Sequence, residues 1–174
     1  LSLLRDDLLC AGLADLRAHR TLRIVGDGGV GKSALLRRIA ARFDGPTVAL
    51  KDDRVDARSW SAYTASLGLS VTVEQAVDEL AGRGECLLVI DGSDRLLLSN
   101  RRPVVLDLFR AIADSPLGVR WSILTSARDF QARDVVADAL AEVGLPTGRR
   151  LVVGSVTSED VRVIGQALPA LPSV

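Results

Sequence analysis

The sequence predicts an α/β protein, a three-layer α/β/α sandwich around a five-stranded parallel sheet. Five short apolar runs alternate with segments of helical periodicity, and this alternation is typical of a parallel sheet covered by helices on both faces. The run at Leu22–Val25 stops at a glycine cluster, as a buried strand does. With 174 residues, 48% hydrophobic and 25% charged, the chain is large enough to enclose one such core.

Each predicted element follows from a local pattern. Helices are predicted where leucines and other apolar residues recur every three or four positions, and Thr72 with Gln75 has the spacing of a capping box. Strands are predicted at runs rich in leucine and β-branched residues, most clearly at Cys86–Asp91. In chain order the predicted elements are helix 3–18, strand Leu22–Val25, helix 32–43, strand Thr47–Lys51, a short helix Ser59–Ser66, a helix from Thr72 to about Ala81, strand Cys86–Asp91, helix Pro103–Ala113, strand Arg120–Ser126, helix 131–143, strand Arg150–Val153, and a last helix from Thr157 that Pro169 and Pro172 break.

Charge and cysteine content exclude several classes of function. The 22 basic and 22 acidic residues cancel, so no overall field recruits nucleic acid or an anionic membrane, and direct nucleic-acid binding is not indicated. No run approaches the ~20 apolar residues of a membrane span, and no secretory signal is visible. The expected location is therefore cytoplasmic. Cys10 and Cys86 are too few and too isolated for a disulfide framework or a zinc site.

A phosphate-binding loop is the most specific motif in the chain. The sequence Gly-Asp-Gly-Gly-Val-Gly-Lys-Ser at Gly26–Ser33 fits the Walker A pattern, and it lies between a predicted strand and a predicted helix. Glycines let backbone N–H groups approach phosphate oxygens, and the helix that follows directs its positive end at the anion. Lys32 is expected to contact the β- and γ-phosphates, and Ser33 to ligate Mg²⁺. The alternative is a glycine-rich turn without a ligand. The predicted nucleotide-binding residues of this region are Gly26, Asp27, Gly28, Gly29, Val30, Gly31, Lys32, Ser33 and Ala34.

Two acidic residues follow the strongest strand. Asp91 ends the strand at the carboxyl edge, where parallel sheets bind ligands, and is the predicted second Mg²⁺ ligand. Asp94 is the predicted residue that polarises the attacking water. In the alternative interpretation, either residue caps the next helix or turn.

The fourth predicted strand ends in Thr125-Ser126-Ala127-Arg128. If this strand lies beside the loop strand, Ser126 or Thr125 would hydrogen-bond phosphate or water, and Arg128 would sense the charge of the γ-phosphate. The alternative is a solvated strand end.

The sequence favours ATP as the nucleotide. Guanine-specific proteins usually carry an Asn-Lys-x-Asp element, whereas the only asparagine here is Asn100 and neither lysine lies in that setting. Recognition of dATP stays possible. Residues 13–19 are weak candidates for the adenine pocket, and His19, the only histidine, is expected at a surface or helix end.

The order of these motifs resembles that of a known group of proteins. Val-Ile-Asp91-Gly92-Ser93-Asp94 resembles the Walker B motif of STAND-class ATPases, to which NACHT and NB-ARC domains belong, and Ile-Leu-Thr125-Ser126-Ala127-Arg128 resembles their sensor 1 strand. The resemblance spans roughly residues 1–166. Gly92 stands where related motor ATPases have a glutamate, and the sensor is one residue longer than the usual Thr-Thr-Arg.

The resemblance implies a P-loop NTPase of the additional-strand (ASCE) type, with the sensor strand between the loop strand and the Walker B strand and therefore the order 5-1-4-3-2. It also implies an ATP/ADP switch that hydrolyses slowly, works with other domains of the same polypeptide and forms a homo-oligomer when activated. The residues themselves predict that Mg²⁺ is the metal and that Lys32, Asp94 and Arg128 act in catalysis. The chain contains no Met, and we expect it to be a piece of a longer protein. The expected organisation is one domain over 1–174, with a leading helix at 1–20, a nucleotide-binding core at 21–156 and the start of a helical region at 157–174.

Two other functions are compatible with the sequence. One is an ATPase of another ASCE branch, such as an AAA+-like motor or a DNA-associated ATPase, for which Arg101, Arg102 or Arg133 could serve a neighbouring subunit. The other is a module that holds nucleotide without turnover.

Overall fold

The computed structural model describes residues 6–129 and 133–154. Within these ranges, helices and strands alternate as the sequence predicts. The helices are α1 Asp6–His19, α2 Lys32–Ala40, α3 Trp60–Ser66, α4 Val73–Gly82, α5 Ser93–Leu97, α6 Arg102–Asp114 and α7 Val135–Glu142, with one 3₁₀ turn at Gly118–Arg120. The strands are β1 Thr21–Gly26, β2 Thr47–Lys51, β3 Cys86–Asp91, β4 Trp121–Arg128 and β5 Arg149–Val152.

All five strands are parallel, in the order β2-β3-β4-β1-β5. This order confirms the predicted arrangement, with β4 inserted between the loop strand β1 and the acidic strand β3. Parallel strands end at the same edge of a sheet, and ligands of open α/β folds bind beyond those ends. The topology therefore brings the ends of β1, β3 and β4 together.

Two apolar clusters cover the two faces of the sheet and make the three layers. On one face, α1 and α2 pack against alternate residues of the strands, including Leu22, Leu87 and Leu124. On the other face, α3 to α7 pack around Phe109 in the larger cluster. Burial of this apolar surface is the main driving force for folding. It also fixes the face to which each strand residue points, because side chains alternate along a strand.

Most predicted boundaries agree with the structure, and the capping box of Thr72 and Gln75 is formed at the start of α4. Three differences arise from tertiary contacts or local turns. Strand β4 continues to Arg128 because its last residues pair with β1. Helix α2 ends at Ala40 rather than at 43, and α5, which was not predicted, occupies only Ser93–Leu97. The predicted helix from Thr157 lies outside the described residues.

The cysteines are free in the described part of the chain, with Cys10 exposed and Cys86 buried. Burial raises the pKa of the Cys86 thiol. None of the described helices has both the length and the hydropathy that a membrane span requires.

Candidate functional site

The predicted phosphate loop connects the end of β1 to the start of α2. Gly31 precedes the helix at φ 86°, a left-handed conformation that glycine adopts without strain, and no side chain caps the helix N-terminus. The first turn of α2 contains no acidic residue. Its uncapped backbone N–H groups and its positive end therefore face the loop, which favours an anion there.

Lys32 folds back over the loop. Its Nζ donates hydrogen bonds to the carbonyl oxygens of Gly26 at 2.9 Å and Asp27 at 2.6 Å. Burial lowers the pKa of Lys32 below its ordinary value, although the charges of Asp94, Asp27 and Asp91 oppose this effect. The ammonium thus lies in an environment that a polyphosphate would make more favourable.

The Ser33 hydroxyl contacts Asp91 of β3. The position of Asp91 follows from the alternation of side chains along β3 and from the register of β3 with β4. Asp91 follows Leu87 and Val89 on the α2 face of β3, and Ser126 of β4 is its direct partner across the sheet. Ser33 Oγ donates to Asp91 Oδ1 at 2.8 Å, and Ser126 Oγ donates to the same oxygen. One carboxylate oxygen of Asp91 therefore accepts hydrogen bonds from a hydroxyl on α2 and a hydroxyl on β4.

Thr125 lies on the opposite face of β4 from Ser126. Its side chain is fully buried, and its Oγ1 has no hydrogen-bond partner among the described residues. Of the two hydroxyls that the sequence left as alternatives, the structure places Ser126 at the loop and Thr125 away from it.

Asp94 is paired with Arg128 although the two residues lie on different elements. The Arg128 Nε donates to Asp94 Oδ2 at 2.9 Å, and the Asp94 side chain is 2% exposed against 53% for Arg128. The turn that carries Asp94 is attached to β4 by two hydrogen bonds, from Gly92 N to Ser126 Oγ at 3.1 Å and from Ser93 Oγ to the Ser126 carbonyl at 2.8 Å. Asp94 lies in the first turn of the short helix α5, whose N-cap is Gly92, so Asp94 is a buried ion-paired carboxylate and not the cap of this helix.

These groups line one open cavity of about 430 Å³ at the carboxyl edge of the sheet. Its walls contain ten of the residues predicted from the sequence, namely Gly28, Gly29, Gly31, Lys32, Ser33, Ala34, Asp91, Asp94, Ser126 and Arg128. Gly26 and Asp27 do not line it and contribute the carbonyl oxygens that hold Lys32. Val30 is directed into the core beside α2.

Sequence reasoning missed four lining residues, Arg37, Gly92, Arg95 and Ala127, as members of the site. Arg37 lies one helical turn after Ser33, and its Nε donates to the Ser33 carbonyl at 3.1 Å, so the i+4 spacing on α2 was an available signal. Arg95 follows Asp94 directly in the chain. The direction of its side chain depends on the turn at Gly92, and no sequence pattern predicts that direction.

The suggested adenine contacts at residues 13–19 are not at this cavity. Helix α1 ends where β1 begins, whereas the loop follows the other end of β1. Leu13, Leu16 and Arg17 line a second cavity of about 300 Å³, together with residues such as Glu85 and Ser122 at the amino ends of β3 and β4. That suggestion is therefore wrong, because the strand separates the two edges of the sheet.

The residues present fit a nucleotide with Mg²⁺. A Cβ added to Gly28 would meet no atom within 4 Å, so the loop leaves open space beside its backbone. Ser33 Oγ and Asp91 Oδ1 lie 2.8 Å apart, close to the roughly 3 Å between adjacent oxygens around octahedral Mg²⁺. Hydroxyl and carboxylate oxygens are the ligands that this ion prefers.

Replacing Gly28 with alanine should weaken nucleotide binding without destabilising the protein. The new methyl group meets no protein atom, so we expect the free energy of unfolding to change by less than about 0.5 kcal/mol. It would occupy space that phosphate oxygens need, so the ATP affinity should fall by about tenfold or more. Titration calorimetry and chemical denaturation measure the two effects. Gly82→Ala is the matched control, since its Cβ also meets no atom within 4 Å and Gly82 ends α4 away from the cavity. Equal ATP affinity in both variants would contradict the loop assignment.

Nucleotide binding should be linked to proton uptake at alkaline pH. The pKa of Lys32 is lowered in the free protein, and phosphate charge raises it in the complex, so the complex keeps a proton that the free protein loses. The ATP affinity should therefore fall as pH rises through the lowered pKa. The stability of the ligand-free protein depends on pH in the opposite direction. Because the unfolded chain holds more protons at Lys32 than the folded protein does, the free energy of unfolding rises with pH in that window. Calorimetry in two buffers of different ionisation enthalpy, at several values above pH 8, measures the uptake. A binding enthalpy independent of buffer would contradict the contact with Lys32.

Comparison with known proteins identifies the fold. No protein-family model and no curated protein matches the chain. A Walker-type ATPase of Pyrococcus abyssi superposes with a TM-score of 0.63 at 13% sequence identity, covering 97% of this chain and 59% of that one. The ORC2 protein of Aeropyrum pernix in its ADP form superposes with a TM-score of 0.58 at 17% identity, covering 92% of this chain and 50% of that one.

The chain thus has the fold of a P-loop NTPase of the additional-strand type, as its sequence predicts. It spans 59% and 50% of the lengths of these two proteins. At such identities the likeness concerns the fold, and the functional roles of individual residues stay predictions.

Proposed function

We propose that this chain binds ATP with Mg²⁺ and hydrolyses it slowly, as the nucleotide switch of a STAND-type signalling or defence protein. The observation that carries the proposal is the convergence of Lys32, Ser33, Asp91, Asp94 and Arg128 on one cavity. These residues come from the start of α2, the β3 end, α5 and the β4 end, and each has a chemical type that is used in phosphoryl transfer.

Binding depends on the loop and on the start of α2. Backbone N–H groups of residues 28–33 would surround the phosphates, and the Lys32 ammonium would exchange its two carbonyl partners for phosphate oxygens, which form stronger charge-assisted hydrogen bonds. Ser33 and Asp91 would hold Mg²⁺, which supplies neutralisation of phosphate charge. The geometry of Ser33 and Asp91 supports this assignment, since the two oxygens are already adjacent.

Hydrolysis requires a water molecule in line with the γ-phosphate. The Asp94 carboxylate would accept a hydrogen bond from this water and orient its oxygen towards phosphorus. The new oxygen–phosphorus bond forms while the bond from the γ-phosphorus to the bridging oxygen breaks, so that ADP leaves with the bridging oxygen. The proton of the water passes to Asp94 or to the phosphate produced. Lys32 and Arg128 stabilise the charge of the γ-phosphoryl oxygens.

The pairing of Arg128 with Asp94 supports slow turnover. The guanidinium of Arg128 pairs with the buried carboxylate of Asp94, and the same guanidinium is the proposed contact of the γ-phosphate. A water molecule would compete with Arg128 for Asp94 Oδ2, so it would reach this oxygen after Arg128 moves to phosphate. Such a rearrangement adds a step before chemistry, as in many switch proteins.

A second candidate is an ATPase of an AAA+-like branch, favoured by the superposition on the ORC2 protein. DNA-stimulated turnover would support that branch, whereas slow turnover with tightly retained ADP supports the switch. The other domains of the polypeptide and an activated homo-oligomer are proposed partners of the switch.

Titration calorimetry with ATP, ADP and GTP, each with and without Mg²⁺, tests the proposal, together with phosphate release in the presence and absence of DNA. We expect ATP and ADP to bind, GTP to bind more weakly, and phosphate release to be slow, Mg²⁺-dependent and unchanged by DNA. Absence of binding heat with ATP and Mg²⁺ would refute the site. Binding without any phosphate release would favour a nucleotide-holding module.

A further inference from the structure

The space beside Gly92 is filled by an ion pair. Gly92 has φ 74°, and a Cβ added to it would lie 2.8 Å from Asp52 Oδ1 and 3.1 Å from Arg95 Nη2. A side chain at this position would therefore have to displace both partners. The Asp52 carboxylate and the Arg95 guanidinium therefore occupy the space that a side chain at position 92 would need.

Asp52 holds Arg95 against the wall of the cavity. Arg95 Nη1 lies 3.0 Å from Asp52 Oδ2, and the Asp52 side chain is 12% exposed whereas that of Arg95 is 57% exposed. Asp52 follows β2 and is itself fixed by the backbone, because its N–H donates to the Asp91 carbonyl at 3.2 Å and its carbonyl accepts from Arg101. A rigid, nearly buried carboxylate thus restrains one side of a guanidinium that lines the cavity.

Arginine has more donors than this pair uses. A guanidinium carries five N–H donors in a planar fork, so contact with one carboxylate leaves several for phosphate oxygens. Arg95 lies next to Asp94 in the chain, and the cavity wall that it shares with Asp91 and Asp94 is the wall at which the proposed hydrolysis takes place. Donors held in place before the reaction lower the energy of a charged transition state.

We propose that Arg95 is a catalytic arginine that contacts the γ-phosphate of the ATP bound in its own chain, and that Asp52 is the residue that positions it. This inference rests on the proposed ATPase function and deepens it. Ring-forming motors usually need an arginine from a neighbouring subunit at the γ-phosphate; here the same chain supplies it. ADP lacks the γ-phosphate, so Arg95 should discriminate between ATP and ADP.

The first experiment compares Arg95→Ala with Arg54→Ala, a change of an exposed arginine that lies two residues after Asp52 and does not line the cavity. In Arg95→Ala we expect kcat to fall on the order of 10³-fold. The affinity for a nonhydrolysable ATP analogue should fall about tenfold while the ADP affinity is unchanged. Arg54→Ala should match wild type in all three quantities. If Arg95→Ala and Arg54→Ala give the same values, the inference is overturned.

A mixture of two variants distinguishes an arginine that acts on ATP in its own chain from an arginine that acts on ATP in a neighbouring subunit. Lys32→Ala protein keeps Arg95 but is expected not to bind ATP. If Arg95 acts within its own chain, adding this protein to Arg95→Ala restores no turnover, and the specific activity of wild type does not depend on protein concentration. Recovery of turnover in the mixture would overturn the inference, since the arginine would then act across a subunit contact.

Asp52→Asn tests the positioning role. It should lower kcat with unchanged ADP affinity in the wild-type background, and it should have no further effect in the Arg95→Ala background. Additive losses in kcat would show that Asp52 acts independently of Arg95, which would overturn the positioning role. If Arg95→Ala does not fold, the same quantities are measured on Arg95→Lys and Asp52→Asn instead. The inference would be overturned if both variants had the wild-type ratio of ATP affinity to ADP affinity. A wild-type protein that binds no nucleotide would instead refute the proposed function itself.

Discussion

Replacing Asp94 with asparagine should abolish turnover while leaving ATP affinity within about twofold of wild type. The carboxylate is the proposed acceptor for the attacking water, and an amide cannot take its proton, so kcat should fall by about 10²- to 10⁴-fold. The fold should persist because asparagine has the same shape and the partner Arg128 is more than half exposed, so that it can turn to solvent. Single-turnover phosphate release and calorimetry measure the two quantities.

Asp114→Asn is the matched control for this experiment. Asp114 is exposed at the end of α6 and does not line the cavity, so its amide should have wild-type binding and turnover. Turnover retained by Asp94→Asn would remove Asp94 from the mechanism. Turnover absent from the wild type itself, with ATP still bound, would support a module that holds nucleotide without hydrolysis.

Replacing Lys32 with alanine should have the largest effect on binding. The substitution removes the only lysine ammonium at the cavity and with it the charge-assisted hydrogen bonds to phosphate, so ATP and ADP affinities should fall by about 10²-fold or more. The free protein should keep its fold, because the lost bonds to two carbonyl oxygens are offset by removal of a charge that burial disfavours.

Calorimetry and thermal unfolding both measure this loss. A ligand at 100 times its dissociation constant stabilises the wild type by about 2.7 kcal/mol, and the same ligand concentration should stabilise Lys32→Ala by about 0.4 kcal/mol or less. Lys51→Ala is the control, since Lys51 is the only other lysine and pairs with Asp53 rather than lining the cavity. An unchanged ATP affinity in Lys32→Ala would refute the nucleotide site as a whole.

The sequence determined the identity of the loop and the class of the fold. Eight consecutive residues predict an anion-binding turn because glycine, lysine and serine each have an expected local role there. Periodicity determined which segments are strands, since the apolar pattern must match the geometry of the backbone. The strand order came from the family resemblance, and the parallel pairings of β4 with both β1 and β3 confirm it.

Only the tertiary structure decided which side chains share the cavity. The choice between Thr125 and Ser126 depends on the face to which each points, and that face is fixed by packing of β4 between two helical layers. The direction of the Arg95 side chain depends on the left-handed turn at Gly92 and on the carboxylate of Asp52, which follows β2. Contacts between residues far apart in sequence arise from the register of the sheet, which is fixed when strands distant in sequence pair and bury one face together.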